Sequence, residues 1–186
     1  MKIKMYLLSI WNILDPIYYS LSRLTYIDRA TPNIFRVRLL CYKGRDITLT
    51  DGTCIKNNDL LVKIHLYNLR LLKEILPLNN PVKKGRIISR SVEQSLPGVC
   101  RYIQMHPKSN EIKGIIGVTM LHRGCRQLGF DVANIHNPLY RAFKWITLMP
   151  IHFLSVSKPV KTLRKQKPKY LVMSAEMLAK KYGCDC

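Results

Sequence analysis

The stretch Gly114–Gly124, GIIGVTMLHRG, decides how this chain is expected to fold. It begins with an apolar run typical of a buried strand and ends on the polar side chains of Thr119, His122 and Arg123. Leu128–Phe130 follows it, and a glycine followed by a hydrophobic residue is typical of a helix C-terminus. A buried strand that leads into a short helix predicts an α/β sheet. Polar groups at the end of such a strand are where binding sites are commonly built.

The segment 33–57 is predicted to be a short antiparallel meander. Its first strand alternates in character, and Arg36 and Arg38 lie on one face of it. Asp51 and Gly52 form a dipeptide that favours a hairpin turn, so the residues on either side of it are expected to pair. The segment therefore contributes a strand with a basic face to the sheet.

Five segments show the three- and four-residue spacing of apolar side chains that predicts helices. These segments cover residues 4–26, 68–76, 83–106, 139–154 and 176–182. Pro97, beside a glycine, predicts a break in the third helix, and Pro138 stands where a helix can begin. We therefore expect one α/β domain over residues 1–186, with a mixed sheet and flanking helices. An α+β arrangement is the alternative.

The chain carries a net charge of +20, from 31 lysine and arginine residues against 11 aspartate and glutamate residues. Such an imbalance opposes folding by self-repulsion and is expected where a protein meets a polyanion. An anionic envelope polymer, nucleic acid and anionic lipid are the candidates, and a basic surface without a specific partner is the alternative. The cations expected to contact a polyanion are Arg36, Arg38 and those of a basic linker at 157–169, namely Lys158, Lys161, Arg164, Lys165, Lys167 and Lys169.

A ligand site is predicted where two apolar strands end. His65 and Asn68 close one strand, and Thr119, His122 and Arg123 follow the other. If the two strands are neighbours, these five side chains converge, and arginine or protonated histidine would donate hydrogen bonds to a carboxylate or phosphate. The alternative is that each polar group bonds to the backbone of a strand end or turn.

Standard catalytic motifs, including the P-loop and the Gly-x-Ser-x-Gly and His-Glu-x-x-His patterns, are absent from the sequence. A nucleophile built from Cys125 and a histidine stays open, although Cys41, Cys100 and Cys125 are all expected to be buried reduced thiols. The tail pair Cys184 and Cys186 lacks a second pair at metal-ligand spacing, so no metal site is predicted. The sequence identifies no cofactor and leaves open whether the protein is an enzyme.

Apolar runs in this chain are too short to span a bilayer. The longest, 145–156, contains Pro150 and His152 and suits a buried or interfacial helix. No cleavage site of a secretory signal peptide follows the N-terminal residues. We therefore expect a cytoplasmic protein, with peripheral docking on anionic lipid through residues 5–24 or 139–156 as an alternative.

Six motifs, ordered along nearly the whole chain, resemble the YkoP-like domain family of Gram-positive spore-formers. They are Tyr42–Arg45, Asp51–Thr53, Asn58–Asn68, Lys113–Gly124, Leu128–Phe130 and Leu171–Ser174. In that family the domain stands alone or is attached to polysaccharide deacetylase domains. The resemblance implies an accessory or ligand-binding role in cell-envelope or spore polysaccharide metabolism, with a polysaccharide-modifying enzyme as a partner. This chain lacks metal-dependent deacetylase motifs, so deacetylase activity is not implied.

Overall fold

The computed structural model describes residues 25–26, 33–66, 71, 74–78, 80–122, 124–155 and 167–183. The strands in these ranges are β1 (Thr25–Tyr26), β2 (Phe35–Cys41), β3 (Ile47–Thr48), β4 (Cys54–Ile55), β5 (Leu60–Leu66), β6 (Ile112–Thr119), β7 (Asp131–Asn134) and β8 (Lys169–Ser174). The α-helices are α1 (Pro81–Gln104), α2 (Pro138–Ser155) and α3 (Ala175–Tyr182). This arrangement confirms the predicted α/β class.

Six strands form one mixed sheet in the order β1-β2-β5-β6-β8-β7. β5 and β6 pair in parallel, and the other described neighbours are antiparallel. The crossover between β5 and β6 contains α1, as a parallel connection requires a long excursion over one face. The central position of β6 agrees with its apolar sequence, because its residues from Gly114 to Gly117 are all buried.

The predicted meander is wrong in its pairing, although its strands and turn are present. β3 pairs with β4 across the Asp51–Gly52 turn as a separate two-stranded sheet. β2 pairs instead with β5, from Phe35 opposite Leu66 to Cys41 opposite Leu60. A seven-residue partner satisfies all of β2, whereas β3 offers only two residues.

The two faces of the sheet bury different partners. Helices α1 and α3 pack on one face, over Val37, Val62 and Ile115. The β3–β4 hairpin packs on the other face, over Leu61 and Ile116. We call the first the helical face and the second the hairpin face. Since side chains alternate along a strand, each residue of β2, β5, β6 and β8 can be assigned to one face.

Helix α1 continues through Pro97, so the predicted break near that residue is wrong. A proline inside a helix costs about 3 kcal/mol. Here the same turns carry Leu96 and Val99, both fully buried against the sheet, and their burial offsets that cost. The hydroxyl of Ser95 also accepts a hydrogen bond from the backbone of Ile34, which fixes α1 to the start of β2.

Two other expectations concern the N-terminal helix and the burial of the cysteines. The predicted N-terminal helix falls outside the described residues up to its last two positions, and there Thr25–Tyr26 is a strand paired with β2. Cys100 is buried as expected, but Cys41 is exposed and Cys125 is half-buried. Cys41 is the last residue of β2, beyond the cover of the helices.

The predicted turn at Gly129 is confirmed. A short 3-10 helix, Cys125–Leu128, ends there, and Gly129 has a φ of +89°. The backbone N–H of Phe130 then donates to the carbonyl of Cys125, and the Phe130 ring is buried in the core. A residue with a side chain at position 129 would be strained in this left-handed conformation.

Gly129→Ala is expected to lower the free energy of unfolding by about 1–2 kcal/mol, because its φ is left-handed and its Cβ would press on Met173 at 3.3 Å. Gly85→Ala is the matched control. Gly85 lies in α1 with nothing within 4 Å of the added carbon, so this change should stabilise by about 0.5–1 kcal/mol. Urea denaturation of both variants measures the difference, and equal effects would contradict the assignment.

Candidate functional site

The hairpin face carries a cluster of cations where β2 and β5 lie side by side. Arg36 is directly opposite His65, and Arg38 is directly opposite Lys63. Side chains in such cross-strand pairs have Cβ atoms about 4.5–5.5 Å apart, and like charges placed there are destabilising. Arg36 is 3% exposed, so the predicted basic face of β2 exists but is largely covered.

Lys63 is the most unusual member of this cluster. It is only 9% exposed, and its charged neighbours Lys144 and Arg38 are also cations. Burial, together with the positive charges of Lys144 and Arg38, lowers the pKa of Lys63 to about 8. A buried lysine is normally paired with a carboxylate, because desolvation without compensation costs several kcal/mol.

Helix α2 brings a further cation to the same face. The ring of Tyr140 stacks on that of Tyr170 in β8, with ring centroids 6.3 Å apart. One turn later, Lys144 lies near enough to β5 for its charge to lower the pKa of both Lys63 and His65. Burial and the neighbouring Arg38 in turn lower the pKa of Lys144. We call Arg36, Arg38, Lys63, His65 and Lys144 the cationic cluster.

His65 is a neutral member of the cluster at pH 7. Burial is the largest cause and the four cations around it add to the effect, so its pKa falls to about 3. The prediction that a protonated His65 binds an anion therefore does not fit this environment. A neutral imidazole still offers one N–H donor and one acceptor nitrogen.

Of the other predicted ligand residues, Thr119 and His122 lie within the described part of the chain. Asn68 and Arg123 lie outside the described residues. Thr119 is on the helical face of β6, opposite to His65, and its hydroxyl accepts a hydrogen bond from the backbone of Leu121. His122 is half-buried in the loop after β6, and its carbonyl accepts from the backbone of Cys125. Convergence of the whole set on one ligand stays a prediction.

Of the basic linker at 157–169, the described residues include only 167–169. Residues 158–165 lie outside the described residues, Lys167 is exposed, and Lys169 is already the first residue of β8. Their role in binding a polyanion stays a prediction.

Sequence reasoning missed Lys63 and Lys144. The signal for Lys63 was present in the strand LLVKIHL, where a lysine and a histidine two residues apart must share one face. Lys144 gave no comparable signal, because a lysine in an amphipathic helix ordinarily faces solvent.

An open groove lies at the start of α2, also on the hairpin face. It encloses about 380 Å³ and is lined by Tyr42, Tyr170, Lys43, Arg45, His136 and Pro138, among others. Tyr42 and Tyr170 meet edge to face, with centroids 6.2 Å apart, and burial raises the pKa of Tyr170 to about 12. The groove therefore combines neutral aromatic rings with exposed cations.

Cys125 is a poor candidate nucleophile. Burial raises the pKa of its thiol to about 11, and its Sγ lies 3.5 Å from the carbonyl oxygen of Leu121, a hydrogen-bonding distance for sulfur. The thiolate is the reactive form, and little of it would exist at neutral pH. No group of histidine, cysteine and acidic side chains in the described ranges is arranged to hold a metal ion.

The helices offer no membrane span either. Within the part of the chain that the structure describes, no helix is both long and apolar enough to cross a bilayer.

Fold and site together define a small α/β protein with a buried cationic cluster on one sheet face. The YkoP domain family matches residues 4–182, and the chain belongs to that family. It is 49% identical over 175 residues to a Bacillus subtilis (strain 168) protein described as "Uncharacterized protein YkoP", covering 94% of this chain and 95% of that protein. No solved structure matches the chain.

Lys63→Met is expected to raise the free energy of unfolding at pH 7 by about 2 kcal/mol, because it removes a buried charge surrounded by like charges. The pKa of Lys63 is about 8 in the folded protein and 10.5 ordinarily. As pH rises, the folded state therefore loses this proton at a lower pH than the unfolded state does. The contribution of Lys63 therefore becomes more favourable as pH rises from 8 to 10.5.

Urea denaturation at pH 7 and pH 10 measures this effect. Lys113→Met, on an exposed lysine of the neighbouring strand, is the control. The advantage of Lys63→Met over the control should shrink at pH 10, and an equal advantage at both pH values would show that its charge is not the cause.

Iodoacetamide at pH 8 is expected to alkylate Cys41 well before Cys125, because Cys41 is exposed and the Cys125 thiol is protonated and half-buried. Peptide mapping by mass spectrometry gives the two rates. Comparable rates would restore Cys125 as a candidate nucleophile.

Proposed function

We propose that this protein binds a small anionic group, a phosphate or carboxylate, between the hairpin face of the sheet and α2. The observation that carries the proposal is the burial of the Lys63 side chain beside the like charges of Lys144 and Arg38. A lysine buried next to other cations is expected where an anion binds. Charge-assisted hydrogen bonds to phosphate or carboxylate are about twice as strong as neutral ones.

The arrangement of described carboxylates supports this reading. Asp51 and Asp131 both act at the hairpin end, where they accept hydrogen bonds from Ser174 and Thr50 respectively. Asp59 accepts from the backbone of Lys56. These three acids are committed to turns and to the hairpin.

The burial of Lys63 favours a small ligand group over a nucleic-acid duplex. A side chain that is 9% exposed cannot follow the phosphates of a double helix, which bind exposed cations in rows. A single phosphate or carboxylate on a sugar, or at a polymer end, could reach Lys63. Nucleic acid is therefore the alternative, and it would use exposed cations such as Lys167 instead.

The resemblance to YkoP-like domains supplies the finer part of the proposal. It supports an accessory protein that binds an anionic component of cell-envelope or spore polysaccharide and acts beside a polysaccharide-modifying enzyme. The linker cations at 158–169 would then contact the rest of an anionic polymer.

The ligand residues predicted at the ends of β5 and β6 form a second part of the proposal. Neutral His65 would orient the anion within the cationic cluster, with Asn68 beyond the end of the same strand. Thr119, His122 and Arg123 remain a separate prediction for the end of β6. The variant His122→Ala tests whether these residues belong to the anion site, since loss of binding with an intact fold would add this loop to the site.

Isothermal titration with glucose 6-phosphate and glucuronate tests the proposal, with neutral glucose as the ligand control. At least one anionic sugar should bind and glucose should not. Lys63→Met and Lys144→Met should weaken binding by about tenfold or more, the value of one lost hydrogen bond to a charged group. Lys113→Met should leave the affinity unchanged.

Affinity should also fall as pH rises above 8, because Lys63 then loses its proton. If Lys63→Met binds as tightly as the parent protein, or neither anion binds, the proposed site is wrong. Binding of a duplex DNA that falls steeply with salt and is unchanged by Lys63→Met would favour the nucleic-acid alternative.

A further inference from the structure

Helix α2 leaves a row of large apolar side chains exposed to solvent. Leu139, Phe143 and Ile146 recur at the spacing of one helix face, and they are between 58% and 81% exposed. We call these three residues the outer stripe. An amphipathic helix of a globular protein normally buries such a stripe.

Two cations of α2 point inward, and Trp145, Leu148 and Met149 are half-buried. Lys144 faces the cationic cluster, and its charge acts on Lys63 and His65. The guanidinium of Arg141 lies 3.4 Å from the carbonyl oxygen of Ile135, which is buried. Arg141 and Lys144 are therefore committed to the protein, and the three side chains of the outer stripe are left to meet something else.

We infer that the outer stripe of α2 docks on an anionic membrane surface. A large exposed apolar stripe marks an interaction surface, and a helix lying in the interface buries its apolar face in the acyl boundary. The net charge of +20 matches anionic lipid. Exposed Lys43 and Arg45 line the groove beside Pro138, where α2 begins, so cations lie next to the stripe.

A second copy of the chain suits this surface less well. Two copies would bring +20 against +20, and the repulsion opposes association. Three side chains also bury far less than the roughly 800 Å² per partner of a stable interface. Membrane docking does not depend on the proposed anion site, because the outer stripe and the cationic cluster share no residue.

Cosedimentation with vesicles tests this inference, using phosphatidylcholine alone and phosphatidylcholine with about one third phosphatidylglycerol, a fraction chosen to give a strongly anionic surface. The protein should bind the anionic vesicles, and more weakly at high salt. The triple variant Leu139→Ser, Phe143→Ser, Ile146→Ser should bind about tenfold or more weakly. The control, Val82→Ser with Met105→Ser, alters two apolar side chains, one in α1 and one directly after it, that are 69% and 78% exposed, and it should bind normally.

Two further measurements keep the inference open to refutation. Phe143→Trp should shift its fluorescence to the blue on anionic vesicles, whereas Met105→Trp should not. Lys63→Met should retain vesicle binding, which separates this inference from the anion site. The inference fails if the triple variant binds vesicles like the parent protein, if it loses stability instead, or if it abolishes a dimer seen by sedimentation equilibrium.

Discussion

The pairing of β5 with two different neighbours is the constraint on which the structure depends. Strand β5 pairs with β2 on one side and with β6 on the other. Its side chains on the helical face must be apolar to pack on α1, while the alternate side chains lie on the hairpin face. A one-residue slip would exchange the two sets and bury Lys63 and His65 among the helices. The apolar core on one face therefore fixes the position of the cations on the other.

That constraint links stability to function. The core over Val62 and Ile64 supplies apolar burial that can offset the repulsion between Arg38 and Lys63 across the same strands. Helix α2 then adds Lys144 to the cationic cluster and leaves its outer stripe exposed. The two proposed surfaces of the protein thus both involve this one helix.

Local patterns predicted the elements well, because they depend on neighbouring residues. The Asp51–Gly52 turn and the helix end at Gly129 follow from backbone preferences that a few residues determine. The partner of β2 could not be predicted in this way, since it lies beyond the hairpin in sequence. Periodicity also predicts α2 without showing that three of its apolar side chains face outward. The cluster was predicted in part, because alternation placed Arg36 with Arg38, but only the strand register brought Lys63 opposite Arg38.

The lowered pKa of Lys63 has a consequence for chemical modification. An ordinary lysine is almost entirely protonated at pH 7, whereas an amine with a pKa of about 8 is free in roughly one molecule in ten. The free amine is the nucleophile toward aldehydes and activated esters. Lys63 is therefore expected to react with a small acylating or reductive-alkylating reagent ahead of an equally exposed lysine with an ordinary pKa.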